Sequence, residues 1–246
     1  MMKKKIKLIE YRKNVYSQNG EDGVLEEIFK RINVGSSNNE KWCVEFGAWD
    51  GKHLSNTFHF VEQGWNAVYI EGDKEKFRDL LETVKQYPKI KPINAMVGFE
   101  ESDSNNLNNL LSGTKIPEDF DLLSIDIDSF DLAVWQCFVG KPKVVIIEIN
   151  SSIEPGILQW HDGIFCQGNS FSSTIKVAED KGYMLVCHTG NLVFLREDLV
   201  QMIGLDNRSI HFPETLFLNN WLSSKKNNSD NITFFKRLKI KLKNLI

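Results

Sequence analysis

No stretch of this 246-residue chain holds about twenty consecutive apolar residues, so no membrane-spanning helix is expected. Cysteine is scarce: Cys43, Cys137, Cys166 and Cys187 form no close pair and match no zinc spacing. Three of the four sit in or beside apolar runs, the pattern of reduced, buried thiols in a cytoplasmic protein. A large excess of one charge is also missing. The formal net charge is -3, which gives no global reason to expect a nucleic-acid partner. Met1 to Lys7 is basic but no apolar segment follows it, so no secretory signal is expected. The chain length suits one large domain, or one domain with an appendage.

A further absence narrows the ligand. The run Cys43-Val44-Glu45-Phe46-Gly47-Ala48-Trp49-Asp50-Gly51 is an apolar strand breaking into a glycine turn, but it lacks Gly-x-Gly-x-x-Gly. Trp49 stands where a pyrophosphate would need a glycine, and Glu45 and Asp50 would repel phosphate. A second apolar strand, Tyr69-Ile70-Glu71-Gly72-Asp73, ends on acids. An acid at that place suits the two hydroxyls of an adenosine ribose. A cofactor with a cationic end and no phosphate fits both runs, which points to S-adenosylmethionine. The Gly47 to Gly51 turn is then expected to line its site.

The elements alternate along the chain. Helical spacing marks Gly20 to Ile32, Ser55 to Gly64 with Ser55 or Asn56 as cap, and Asp73 to Tyr87. It also marks Leu107 to Leu111, Leu132 to Val139 and Ser172 to Lys181. Apolar runs predict strands at Trp42 to Phe46, Ala67 to Ile70, Ile90 to Val97, Leu122 to Ile127 and Val144 to Ile149. Such strands between helices predict a parallel sheet covered on both faces. The last two strands, Tyr183 to Cys187 and Leu192 to Leu195, are separated only by His188 to Asn191. That gap is too short for a crossover helix, so they must form an antiparallel hairpin. The fold class expected is α/β: a Rossmann-like, mostly parallel seven-stranded sheet ending in an antiparallel hairpin, with helices on both faces.

This pattern resembles class I S-adenosylmethionine-dependent methyltransferases. Five segments in order carry a narrower likeness: Tyr16 to Gly23, Val44 to Gly47, Tyr69 to Asp73, Leu123 to Asp128 and Val145 to Asn150. Together they resemble the FkbM-type methyltransferase family over roughly residues 16 to 196. Its better understood members methylate hydroxyls on natural products, and it is common in sugar and surface-polysaccharide gene clusters. The resemblance implies that Glu45 and Gly47 line the methionine end of the cofactor and that Glu71 holds the ribose. Asp73 is the alternative ribose acid. Asp126 would face the methionine moiety or a metal, and Gln18 and Asn19 would close over the cofactor. The acceptor implied is a sugar or surface-glycan precursor, methylated on oxygen.

Asp126, Asp128, Glu148 and Asn150 all fall where the fourth and fifth strands end, the ligand-binding edge of open α/β sheets. Asp126 and Asp128 share a face if the strand continues. Several hard oxygens at one place suit Mg2+, which could lower the pKa of an acceptor hydroxyl. The competing reading is that these groups hydrogen-bond the cofactor or the sheet edge with no metal. His161, in the segment after the fifth strand, is the candidate general base, ahead of His53 and His188. Trp160 and Phe165 are candidates for an apolar wall against a sugar ring.

The organisation expected is a methyltransferase domain over residues 1–222, comprising the core and a helical extension over 197–222. A polar linker at 223–231 and a basic amphipathic helix at 232–246 follow. Phe235, Leu238, Leu242 and Leu245 form one stripe of that helix, with Lys236, Arg237, Lys239, Lys241 and Lys243 around it. It either lies on an anionic membrane, which would make a cytoplasmic protein peripheral to the inner membrane face, or docks on the domain or on a second copy in a homo-oligomer. Two other functions stay open. Asp126-Ile127-Asp128 also occurs as a D-x-D in metal-dependent glycosyltransferases, and the fold can serve as a noncatalytic scaffold.

Overall fold

The computed structural model describes residues 7–33 and 40–222. The linker and tail helix expected at 223–246 lie outside the described residues. Seven strands form one sheet: β1 (Trp42–Phe46), β2 (Asn66–Glu71), β3 (Ile90–Asn94), β4 (Leu122–Ile125), β5 (Val144–Ile147), β6 (Tyr183–His188) and β7 (Leu192–Arg196). Their order is β3-β2-β1-β4-β5-β7-β6. The first five run parallel, and β7 is antiparallel to both β5 and β6. This is the mostly parallel seven-stranded sheet expected from the sequence, closed by the antiparallel hairpin that the short gap before Leu192 requires.

Alternation within each strand builds two cores, one on each face of the sheet. Cys43, Ala67, Tyr69, Leu122, Val144 and Ile146 pack with α1 (Glu21–Arg31), α2 (Phe58–Glu62) and α3 (Lys74–Gln86). Val44, Phe46, Val68, Ile70, Leu123 and Ile125 face the other way. They pack with α4 (Leu107–Ser112), α5 (Asp131–Cys137) and α6 (Phe171–Asp180). Both faces being covered explains why the strands read as nearly unbroken apolar runs.

Helix starts are set by short polar side chains. Asp73 caps α3, accepting the Glu75 and Lys76 amides at 2.8 and 3.0 Å. Ser170 and Ser173 form a reciprocal capping box at α6. α2 is shorter than the 55–64 span expected, because Ser55 to Thr57 make a turn whose hydroxyls bond inward to Glu45. Ser55 still accepts the Phe58 amide at 2.9 Å, so it does stop the first turn from fraying.

β3, β4 and β5 stop two or three residues before their expected ends. Val97, Ile127 and Ile149 remain apolar but leave the ladder and turn along the carboxyl edge of the sheet. Among the described residues no helix is long and apolar enough to cross a membrane.

Candidate active site at the carboxyl edge

Two turns meet where β1 and β4 end. Gly47 has φ +77°, and a Cβ there would sit 2.0 Å from the Asp126 carbonyl oxygen. Only glycine lets the β1 turn touch the end of β4 this closely. The chain then delivers the Trp49 amide to one oxygen of Glu71 at 2.7 Å, while the Asp73 amide reaches the other oxygen at 2.7 Å. Glu71 is 6% exposed and is thus clamped by charge-assisted bonds from two loops. Trp49 adopts φ +44°, unusual for a bulky residue, and its ring lies outside under the Lys76 ammonium at 4.8 Å.

Around Glu71 lies a cavity of about 920 Å³, lined by Gly47, Glu71, Asp73, Met96, Asp126 and the rings of Phe99 and Phe130, among others. Those two rings stack at 4.1 Å with 12° between planes, making an apolar wall. Of the residues expected at the cofactor, Gly47, Glu71, Asp73 and Asp126 meet here. Asp73 does so with one oxygen already spent on capping α3.

Glu45 and Gly51 are not part of this lining, which corrects the placement expected for them. Glu45 is buried and accepts from the Ser55 hydroxyl at 2.6 Å, the Thr57 hydroxyl and the Asn56 amide. Burial raises its carboxyl pKa, and the hydroxyls oppose that rise. Its role in the structure is to brace the 55–57 turn. Gly51 has φ +81° and lies against Tyr69 and Leu80, where a side chain would enter the core.

The acids at the end of β4 converge by a route other than strand alternation. The strand stops at Ile125, and Asp131 at the start of α5 accepts the Ile127 and Ser129 amides at 2.8 and 2.9 Å. This turn puts Asp128 at φ +58° and swings its carboxylate back toward Asp126. Carboxylate oxygens of Asp126, Asp128 and Glu148 lie within 4.8 Å of one another. Burial raises the Asp126 pKa to about 7, reinforced by Asp131 and Asp128. Burial, then Asp126 and Asp128, raises Glu148 to about 8.

Asp128 also borders a second cavity of about 500 Å³. Gln18 and Asn19, Glu148, Asn169, Asn191 and Trp221 contribute to its lining, which includes no Lys, Arg or His. Gln18 therefore sits across Asp128 from the cavity around Glu71, not over it. Its loop is held by Asp22, which accepts the Val15, Tyr16 and Ser17 amides at 2.8 to 2.9 Å and the Ser17 hydroxyl at 2.7 Å. The Ser17 hydroxyl in turn accepts the Asp22 amide at 3.1 Å, so the loop that carries Gln18 is fastened to the first turn of α1. Thr189 on the hairpin donates to Glu21 at 2.9 Å and ties that loop to the β6–β7 turn.

Three other expectations change at this edge. Asn150 lines the second cavity, but Oδ1 accepts from the amide and hydroxyl of Ser152 and Nδ2 donates to the Gln167 carbonyl, so it is committed to its own loop. His161 lines neither cavity. Its Nδ1 accepts the Gly168 amide at 3.2 Å, which leaves the neutral ring's proton on Nε2, and its edge meets Phe130 at 4.7 Å. Phe165 projects into solvent instead of forming a wall.

His188, at the end of β6, is buried in a relay. Nδ1 accepts the Leu218 amide at 2.9 Å, so Nε2 carries the proton and donates to Ser151 Oγ at 2.9 Å. Ser151 donates onward to the Gly190 carbonyl at 2.8 Å. Burial lowers the His188 pKa to about 4.

Met96, Phe99, Phe130, Asn169 and Trp221 were not flagged by sequence. Met96 and Phe130 follow strands β3 and β4, so position at a carboxyl strand end was the available signal. Asn169 and Trp221 carried none.

No family model and no curated protein sequence matches the chain. Among solved structures it is similar to the N-terminal domain of EvdMO1 with SAH bound, at TM-score 0.44 and 11% identity over 73% of this chain and 80% of that one. It is also similar to M. capricolum TrmK in complex with S-adenosyl-homocysteine, at TM-score 0.44 and 13% identity over 89% and 83% of the two chains. The CMeT domain of the citrinin polyketide synthase aligns at TM-score 0.48 and 14% identity over 74% and 55%.

Proposed function

We propose that this chain is an S-adenosylmethionine-dependent O-methyltransferase acting on a hydroxyl of a saccharide. The observation that carries the reading is the pair of cavities sharing Asp128. One has a clamped acid and an aromatic wall; the other is lined by amides, hydroxyls and carboxylates without a cation. The first suits an adenosyl group, with Glu71 accepting ribose hydroxyls and Phe99 and Phe130 facing apolar surface. The second suits a neutral polyhydroxyl acceptor, with Trp221 offering a face to a sugar ring, and disfavours phosphate.

When bound, S-adenosylmethionine would supply an electrophilic methyl group on a sulfonium centre. The residues of the chain position the acceptor and manage its proton. Glu148 borders the acceptor cavity beside Asp126 and Asp128, so this cluster takes the hydroxyl proton as the oxygen is alkylated. Environments that raise carboxylate pKa values toward neutrality suit that task. The spacing of the three carboxylates favours a second reading, in which Mg2+ bound by Asp126, Asp128 and Glu148 lowers the hydroxyl pKa. Excess chelator distinguishes the two: activity lost with cofactor affinity intact supports the metal, and full activity leaves proton transfer to the carboxylates.

Calorimetry with S-adenosylhomocysteine tests the core of the proposal. Glu71→Gln turns one acceptor oxygen into a donor facing a backbone amide, and should weaken the complex by about tenfold or more. Binding of a uridine diphosphate sugar and not of S-adenosylhomocysteine would overturn the reading in favour of glycosyl transfer. Binding of neither would favour a scaffold.

A further inference from the structure

The cavity bordered by Asp128 and Glu148 continues past Gln18, Asn19 and Trp221. The same three residues line a further cavity of about 390 Å³, to which Arg12, Lys13 and Asn220 are added. The two compartments differ in charge. Asp128, Asp131 and Glu148 line the first, with no cation, whereas Arg12 and Lys13 line the extension, with no acid. Glu21 lies behind the extension, buried, with one oxygen accepting the Asn19 amide at 2.7 Å and the other the Thr189 hydroxyl at 2.9 Å.

The donors of the extension are unspent. Among the described residues, no protein atom accepts from the Arg12 guanidinium or from the side-chain amides of Gln18, Asn19 and Asn220. Lys13 turns its ammonium toward Glu26 at 4.0 Å, so Arg12 is the cation left to this space. Its base is fixed. The Lys13 amide donates to the Gly20 carbonyl at 3.3 Å, and the Lys13 carbonyl accepts the Gly23 amide at 3.1 Å. A Cβ on Gly20 would lie 2.5 Å from the Arg12 Cβ, so the side chain starts flat against bare backbone. A held, unpartnered guanidinium beside uncommitted amides suits an oxyanion, which its planar fork grips through two parallel bonds.

We infer that the acceptor carries an oxyanion, a phosphate or a carboxylate, which Arg12 holds with Gln18, Asn19 and Asn220 while a neutral sugar ring lies against Trp221. The inference deepens the reading of the cavity beside Asp128 as the acceptor site and rests on it. Charge then sets the direction of the molecule: carboxylates repel the anionic end, and Arg12 draws it to the far side of Trp221. The hydroxyl that reaches the carboxylates is thus selected by its distance from the anion.

The test is an NMR titration of the full-length protein labelled with 15N. It follows the Arg12 Nε–H and the Trp221 indole N–H, assigned by their loss in Arg12→Gln and Trp221→Phe. The probes are glucose 1-phosphate, glucuronate, glucose and inorganic phosphate at constant ionic strength. One of the two charged sugars should move both signals and bind about tenfold or more tighter than glucose, and the tighter of them identifies the oxyanion. Inorganic phosphate should move Arg12 alone. Arg12→Gln should bring the charged sugars down to the level of glucose, with its unfolding midpoint and its affinity for S-adenosylhomocysteine at wild-type values. An Arg12 signal that ignores every charged probe overturns the inference, as does an Arg12→Gln protein that binds charged sugars equally well. Phosphate moving Arg12 while no sugar moves Trp221 overturns it too, by separating the anion from the acceptor. A protein that passes these tests but binds no S-adenosylhomocysteine keeps the oxyanion site and loses methyl transfer.

Discussion

Acidification should loosen the protein through a single imidazole. His188 is neutral in the fold because burial disfavours its charged form, and its Nδ1 is already an acceptor for the Leu218 amide. A second proton would face that N–H donor to donor, in a site walled by the rings of Phe171, Phe217 and Trp221. Its pKa is about 4, against 6.5 for an ordinary histidine. Between these values the unfolded chain holds the extra proton and the folded chain does not, so stability rises with pH. The contribution is complete above the ordinary value and is lost as pH falls toward 4. The gap corresponds to about 3 kcal/mol in full, of which about 2 kcal/mol disappears between roughly pH 7 and pH 5.

The assay is urea unfolding at constant ionic strength across that range, comparing wild type with His188→Gln. Asp126 and Glu148 act with the opposite sign, because their raised pKa values make the folded state the better proton binder. The quantity to read is therefore the difference between the two proteins. It should shrink by about 2 kcal/mol from neutral pH to about pH 5. Two curves that stay parallel would refute the assignment of a buried neutral imidazole.

Gly47→Ala should destabilise the fold by roughly 2 to 4 kcal/mol in thermal unfolding, through left-handed strain and collision with the Asp126 carbonyl, and should weaken S-adenosylhomocysteine binding in calorimetry. Glu45→Ala should cost about 2 to 4 kcal/mol by urea unfolding, because the Ser55 and Thr57 hydroxyls and the Asn56 amide lose a buried acceptor. Cofactor affinity of the folded Glu45 variant should change little; a large loss at unchanged stability would return Glu45 to the cofactor.

The architecture was legible because each strand buries both faces, so that apolar runs and the short gap between β6 and β7 carry the topology. The strand ends were overextended for the same reason. Ile127 and Ile149 are as apolar as the residues that pair, and the Asp131 side chain that ends β4 binds backbone, leaving no periodic trace. The acid closing β2 could be read, since its place after an apolar strand is itself the signal. Asn150 and His161 misled because sequence shows which polar atoms a residue owns but not where they are spent. Phe165 misled in the opposite way: an aromatic residue near the site reads as lining until its turn shows it facing out.

The two cavities draw on very different lengths of chain. The one around Glu71 takes its lining from Gly47 to Phe130, a compact stretch of consecutive strand–helix units. The cavity on the other side of Asp128 is bounded by residues as distant in sequence as Gln18 and Trp221. Contacts so distant in sequence form late and depend on everything between them. As the ribosome releases this chain, the whole lining around Glu71 is out before β5 exists, while the second lining waits for Trp221. The cavity around Glu71 should therefore take shape earlier in folding than the one that Trp221 completes.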